Sequence, residues 1–390
     1  MKKDDIRLGL QSLAVFKYLQ EDPVIKALLA LLSEETDLVL HYSSFLNELY
    51  QEEGDLGSHI LKLLDSKDSF YLKKESLRNN PHIKDAAEAE LGFLSRLSSI
   101  PSSDIASFVY LKEKPCNLPT FSNSSYDFLE IFKEKIRELP IKGYGIFTEN
   151  LMFRFSDREI VPVLNPDRQK LNDLTGYENE RGKLVANTEA FLEGKPSGNV
   201  LLYGDSGTGK SSTVKAVANA YFSQGLRLLD LKKKQLSQLP LVLDILKDNP
   251  LKFIVFIDDL TFMYQDENFT ALKSVLEGGA AVLPKNVLIY ATSNRRHLVK
   301  ETHEDRLGTD LHENDTREEI TGLGNRFHLT ITFTRPSKEL YLDIVKSYAL
   351  LYQIPLSEEL FNKGEAYALR SGGRSGRAAK QFIQLEKALL

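Results

Sequence analysis

Eight consecutive residues, Gly204-Asp205-Ser206-Gly207-Thr208-Gly209-Lys210-Ser211, meet the pattern G-x-x-x-x-G-K-[ST] at every fixed position. The chemistry that this spacing serves is the holding of a phosphate chain. Glycines at 204, 207 and 209 let the backbone turn tightly and approach a phosphate without a Cβ in the way. Successive backbone N–H groups can then face inward as an anion nest at the start of a helix. Lys210 can reach the β- and γ-phosphates of a nucleotide. The Ser211 hydroxyl can ligate Mg²⁺, a cation that keeps several waters and takes few protein ligands. A Gly/Ser-rich loop with an incidental lysine is the alternative. The flanking sequence argues against it, because residues 199–203 read as a short buried strand and residues 212–222 have helical spacing.

A second group of polar residues follows farther along the chain. The run Phe253-Ile254-Val255-Phe256-Ile257-Asp258-Asp259 is a hydrophobic strand ending in two carboxylates. After a phosphate loop, Asp258 is placed to hold Mg²⁺ directly or through water, and Asp259 to orient and polarise an attacking water. Asn294 ends a further strand, where its amide can hydrogen-bond that water and the γ-phosphate; Thr292 and Ser293 are alternatives for this polar role. Arg326 precedes Phe327 at the entry to another strand and could face the nucleotide of a neighbouring subunit, with Arg295, Arg296 and Arg306 as rivals. Arg374 and Arg377 flank Ser375-Gly376 near the start of the last helix, and Arg377 is the better placed to reach a nucleotide. His297, His303 and His312 lie among acidic residues at a spacing that fits no compact metal motif, so a solvated segment is the preferred reading there.

The elements that must carry these side chains come in three blocks. Residues 1–165 are mainly helical, with apolar stripes over 13–32, 38–49, 60–72, 85–97 and 128–139, the last ended by Pro140. This block closes with a β-hairpin around Ser156-Asp157, whose second strand contains Pro162 and is therefore expected at an edge. Residues 166–335 alternate strands (199–203, 226–231, 253–259, 287–292 and 329–333) with helices, which predicts an α/β domain with a five-stranded parallel sheet covered on both faces. Ligands of such sheets sit at the carboxyl ends of the strands, where the phosphate loop, Asp258-Asp259 and Asn294 all fall. Residues 336–390 hold three helices, punctuated by Pro355 and Gly372-Gly373.

Composition sets the outer bounds. The chain has 390 residues, too many for one ordinary core. Its 42% apolar and 27% charged residues are those of a soluble globular protein. A net charge of −5 supplies no global basic field for nucleic acid. Cys116 is the single cysteine, so no intramolecular disulfide can form. No apolar run approaches the roughly 18 residues of a membrane span, and the first residues have no signal-peptide core. A cytoplasmic protein is expected.

With these residues in place, positions from about 170 to 390 resemble an AAA+ ATPase. The resemblance rests on Walker A (Gly204 to Ser211), Walker B (Phe253 to Asp259), sensor 1 (Asn294), the Arg326-Phe327 arginine-finger box and a sensor 2 arginine near Arg377. Three segments are more specific: Tyr203 to Ser212, Leu276-Glu277-Gly278-Gly279 and Tyr290 to Leu298. They resemble an uncharacterised bacterial AAA+ family catalogued as a domain of unknown function. The resemblance implies ATP and Mg²⁺ as ligands, with Ser212 added to the phosphate-loop set. It implies residues 336–390 as a lid, and homo-oligomers whose sites are completed by a neighbour's Arg326. One departure is Asp258-Asp259 where most AAA+ ATPases have Asp-Glu, which bears on the rate of hydrolysis more than on binding. The expected function is Mg²⁺-dependent ATP hydrolysis coupled to conformational change or remodelling of an unknown protein or nucleic-acid partner. A nucleic-acid partner has no recognisable reading motif to support it. The competing readings are a nucleotide-gated assembly scaffold and, more remotely, a small-molecule kinase.

Overall fold

The computed structural model describes residues 1–66, 69–110, 118–263, 267–277, 283–294, 299–300 and 326–389. Cys116, Gly278, Gly279, Arg295, Arg296, Arg306 and the three histidines 297, 303 and 312 lie outside the described residues. The chain divides into two compact units, Met1–Leu139 and Pro140–Leu390.

The first unit is helical. Its longer helices are Pro23–Ser33, Leu38–Gln51, Leu56–Ser66 and Pro81–Ser98. Two of them start in the same way, with a side chain capping the first turn and proline next to it. The Asp22 carboxylate accepts from Val24 N and Ile25 N, and the Asn80 amide oxygen accepts from His82 N. Proline at this position lacks only an N–H that the helix would leave unused. Phe16, Leu28, Tyr42, Phe45 and Leu97 are fully buried. The Glu90 carboxylate is buried as well, and takes hydrogen bonds from Ala14 N, Val15 N and Phe16 N at 2.8–3.1 Å. The helix Phe128–Lys142 runs through Pro140 rather than stopping before it.

The second unit is built on a seven-stranded sheet. Its strands are β1 (Met152–Ser156), β2 (Glu159–Pro162), β3 (Val200–Gly204), β4 (Leu226–Asp230), β5 (Lys252–Ile257), β7 (Val287–Ser293) and β9 (Leu329–Phe333). They lie in the order β2-β1-β4-β5-β7-β3-β9. A separate parallel pair is made by Phe262–Met263 (β6) and Val299–Lys300 (β8). The five expected strands are present and parallel, but the expected strand count is two short. The hairpin β1–β2 does not close the helical block. Instead β1 pairs in parallel with β4, Phe153 opposite Leu229, and β2 becomes the sheet edge. The reason is burial: Phe153, Phe155 and Ile160 pack with Phe147, Leu229 and Phe253 in one core cluster. The two-residue turn of the hairpin has left-handed Asp157 and Arg158, the backbone that a right-twisted hairpin favours.

Both faces of the sheet are covered. Leu229, Phe253, Val255, Ile257, Ile289 and Ala291 face one cluster; Val200, Leu202, Leu228, Ile254, Phe256 and Ile331 face the other. Alternate residues of β5 thus enter opposite cores, which is why its sequence is apolar without a break. The covering helices are Glu178–Leu192, Lys210–Tyr221, Leu239–Leu246 and Glu267–Leu276. Pro240 lies in the first turn of its helix, where it does no harm. The helices Lys338–Leu351, Glu358–Arg370 and Gly376–Leu389 form a lid with its own core of Tyr341, Val345, Ala379, Phe382 and Ile383. Among the described residues, no helix is long and apolar enough to cross a membrane.

Candidate functional site

Parallel pairing of β3 with β7 and β9, and of β5 with β7, brings four strand ends to one edge. The phosphate loop leaves β3 there. Gly204 has φ +136° and packs so closely on β9 that a Cβ would lie 1.9 Å from the Phe333 carbonyl oxygen. Only glycine fits that approach. The next residue reinforces the contact, since Asp205 N donates to the same carbonyl at 3.1 Å. Gly207 (φ +77°) faces Arg377 and Ser375 of the lid, and a Cβ there would meet both at 3.1 Å.

The loop wraps around the ammonium of Lys210. Its Nζ donates to Gly204 O at 2.8 Å, Asp205 O at 2.7 Å and Asn294 Oδ1 at 3.1 Å. Lys210 is almost wholly buried, and desolvation holds its pKa below the ordinary lysine value. The carboxylates of Asp205, Asp258 and Asp259 oppose that shift, and Arg377 adds to it. A buried cation held on neutral carbonyls is a charge poised for an anion.

Beside it, Ser211 Oγ donates to Asp258 Oδ1 at 2.6 Å. Two hard oxygens so close suit Mg²⁺, which takes one or two protein ligands and completes its octahedron with phosphate and water. Among the described residues, no group of three or more His, Cys, Asp or Glu could hold a metal. Asp259 has φ +52° and accepts from Asn294 Nδ2 at 2.9 Å. One amide therefore links the phosphate-loop lysine to the second carboxylate.

These groups line one cleft of about 810 Å³, in the range of small-molecule sites. Ser206, Gly207, Thr208, Gly209, Lys210, Ser211, Ser212, Asp258, Asp259, Asn294 and Arg377 all border it. Asp205 is not among the cleft residues; its carboxylate accepts from Arg335 N at 3.0 Å. The two lid arginines differ. Arg374 is engaged within the lid, its Nε 3.0 and 3.2 Å from the Glu365 carboxylate oxygens, and this bond lowers the Glu365 pKa. Arg377 N donates to Gly207 O at 3.2 Å, so the last helix starts against the phosphate loop. Arg326 is not among the cleft residues; it forms an ion pair with Glu277 of the same chain.

Further residues border the cleft that sequence reading passed over. Leu174, Thr175, Tyr177 and Arg181, between β2 and β3 in the chain, border it, as do Ile344, Tyr348 and Leu351 of the lid. They add apolar and aromatic walls to the polar groups above, the usual make-up of a small-molecule site. Their distance from the motifs along the chain hid them. Tyr177 had one local sign, the Gly176-Tyr177 step before a helix: both are left-handed, and Tyr177 OH reaches Thr334 O at 2.6 Å.

No curated protein matches the chain. Among solved structures, a point mutant of Thermotoga maritima RuvB is 16% identical with a TM-score of 0.38, over 55% of this chain and 63% of that one. The chain thus spans less than two thirds of that protein's length. The T. maritima RuvB Holliday junction branch migration motor is 14% identical with a TM-score of 0.34, over 56% and 72% of the two chains. The FIGL-1 AAA domain in complex with ADP is 16% identical with a TM-score of 0.39, over 57% and 73%. The family described as "Protein of unknown function (DUF815)" matches residues 148–388, more than half the chain and nearly all of the sheet-and-lid unit. The chain belongs to the DUF815 family.

Proposed function

We propose that this protein is a Mg²⁺-dependent ATPase that couples nucleotide state to conformational change or remodelling of a protein partner. The observation that carries the reading is the chain of contacts Lys210–Asn294–Asp259 beside the pair Ser211–Asp258. It sets a cation, a hydrogen-bonding amide and two carboxylates around one point of the cleft. Lys210 and the loop N–H groups hold the β- and γ-phosphates. Ser211 and Asp258 are the residues that would hold Mg²⁺, which would supply neutralisation of phosphate charge there. Asp259 and Asn294 orient the attacking water, and Asp259 draws on its proton. Arg377 follows the nucleotide from the lid. Positioning and charge stabilisation of this sort are the main means of catalysis in phosphoryl transfer.

Steady-state phosphate release from ATP, with and without Mg²⁺, tests the proposal in wild type and Asp259→Asn. Turnover that needs Mg²⁺ and falls by about 10²-fold or more in Asp259→Asn, with ADP affinity retained, is the expected result. ATP binding without turnover by wild type favours the second reading, a nucleotide-gated assembly scaffold. That reading has its own observation: Arg326 is paired with Glu277 and stands outside the cleft, so a single chain lacks that arginine at its site.

A further inference from the structure

Thr292 lies on β7, two residues before Asn294, and is buried. Its hydroxyl accepts from Asp259 N at 3.0 Å and donates to Asp258 Oδ1 at 2.5 Å. Its carbonyl accepts from Leu260 N at 2.7 Å. Three consecutive residues after β5 are thus tied to one residue of the neighbouring strand. The middle one, Asp259, has the left-handed backbone noted above. Asp and Asn visit this region more readily than other non-glycine residues, because a short polar side chain finds local partners. Here the turn carries the Asp259 carboxylate to Asn294 Nδ2.

We propose that Thr292 is a positioning residue for hydrolysis. Its hydroxyl locks the left-handed turn that brings an aspartate, one methylene shorter than glutamate, up to Asn294, and it holds Asp258 beside Ser211. The assignment rests on the ATPase reading of the cleft. The length that the side chain lacks is supplied by the backbone, so the Asp258-Asp259 pair is a different route to the same placement. The hydroxyl is needed twice, as acceptor for the Asp259 N–H and as donor to Asp258. Valine has the same branched shape but offers neither bond, so Thr292→Val isolates the hydroxyl from the packing. Glutamate at 259 would extend the carboxylate past Asn294 and fit the left-handed turn less well.

ATP turnover and ADP affinity are to be measured with Mg²⁺ for wild type, Thr292→Val, Thr292→Ser and Asp259→Glu at matched protein concentrations. Loss of placement by about an ångström costs on the order of 10²-fold in rate, so Thr292→Val is expected to lower kcat by about 10- to 100-fold. Its ADP affinity should stay within about threefold, since the effect belongs to the chemical step. Thr292→Ser is expected to recover most of the rate, and Asp259→Glu to be slower than wild type. Wild-type turnover in Thr292→Val overturns the assignment. So does a serine variant as slow as the valine one, because volume rather than the hydroxyl would then be at issue. Should Thr292→Val fail to bind ADP, the other two variants decide. A slow Asp259→Glu with an active Thr292→Ser supports the lock, and a fast Asp259→Glu overturns it. A wild type that binds ATP without turnover removes the ATPase reading and this assignment with it, and is recognised because no variant is needed to see it.

Discussion

Lys210 shows how much one side chain depends on its surroundings. Its ammonium is enclosed by the carbonyls of Gly204 and Asp205 and the amide of Asn294, and burial lowers its pKa below the usual 10.5. A lowered value means the proton leaves at a lower pH than from a solvated lysine. The charge that attracts phosphate is therefore lost as pH rises, and lost earlier than from a solvated lysine. Titration with a fluorescent ATP analogue should show affinity that weakens as pH rises, at a lower pH than a solvated lysine would give. Lys210→Ala should bind at least about tenfold more weakly at neutral pH, as expected for a lost charged hydrogen bond. It should also lack the alkaline decline; a decline that persists in the variant assigns the titration to another group.

At the scale of elements, the approach to the sheet is held by a residue with no part in the chemistry. Arg227 on β4 is 1% exposed. Its guanidinium donates to Phe147 O at 2.7 Å, Phe222 O at 3.1 Å, Leu226 O at 2.9 Å and Lys142 O at 3.3 Å, and lies 4.1 Å above the Phe222 ring. Desolvation pushes its pKa down to about 10, still charged at neutral pH. The fork ties residues 142–147, which lead into β1, to the strand that β1 joins. Arg227→Ala leaves several carbonyls without their donor and should cost roughly 2–4 kcal/mol. In thermal unfolding that is a drop on the order of 5–15 °C. Arg227→Lys should recover only a part, because one ammonium cannot reproduce a planar fork. An unchanged melting temperature in Arg227→Ala would show that these bonds merely replace water.

For the whole molecule, the outstanding fact is an arginine outside its own cleft. Arg326 is paired with Glu277, and both side chains are partly exposed. If a neighbouring chain receives Arg326, the active unit is an assembly and specific activity depends on protein concentration. ATP hydrolysis per chain should rise with concentration in wild type and stay low and flat in Arg326→Ala, with nucleotide affinity unchanged. The expected gap is large, since an arginine supplied in trans is worth about 10³–10⁵ in rate in related chemistry. A flat wild-type profile at substantial activity would place the whole site within one chain.

The amino-acid sequence by itself determined the tight glycine-rich loop 204–211, because its backbone conformation depends on eight contiguous residues and their glycines. It also determined the five parallel strands, since a strand buried on both faces reads as an unbroken apolar run. The carboxylates Asp258-Asp259 and the amide of Asn294 were legible as strand-end residues for the same reason. Tertiary structure alone decided where the hairpin goes: its alternation shows that one face is buried but not that β4 is the strand it pairs with, Phe153 beside Leu229. It set apart the surroundings of Arg374 and Arg377, because only folding brings Glu365 to the first and Gly207 to the second. It also decided the left-handed turn at Asp259 and the tether from Thr292. Each of these is a contact between residues distant in sequence or a backbone state imposed by one, and local pattern carries no record of such partners.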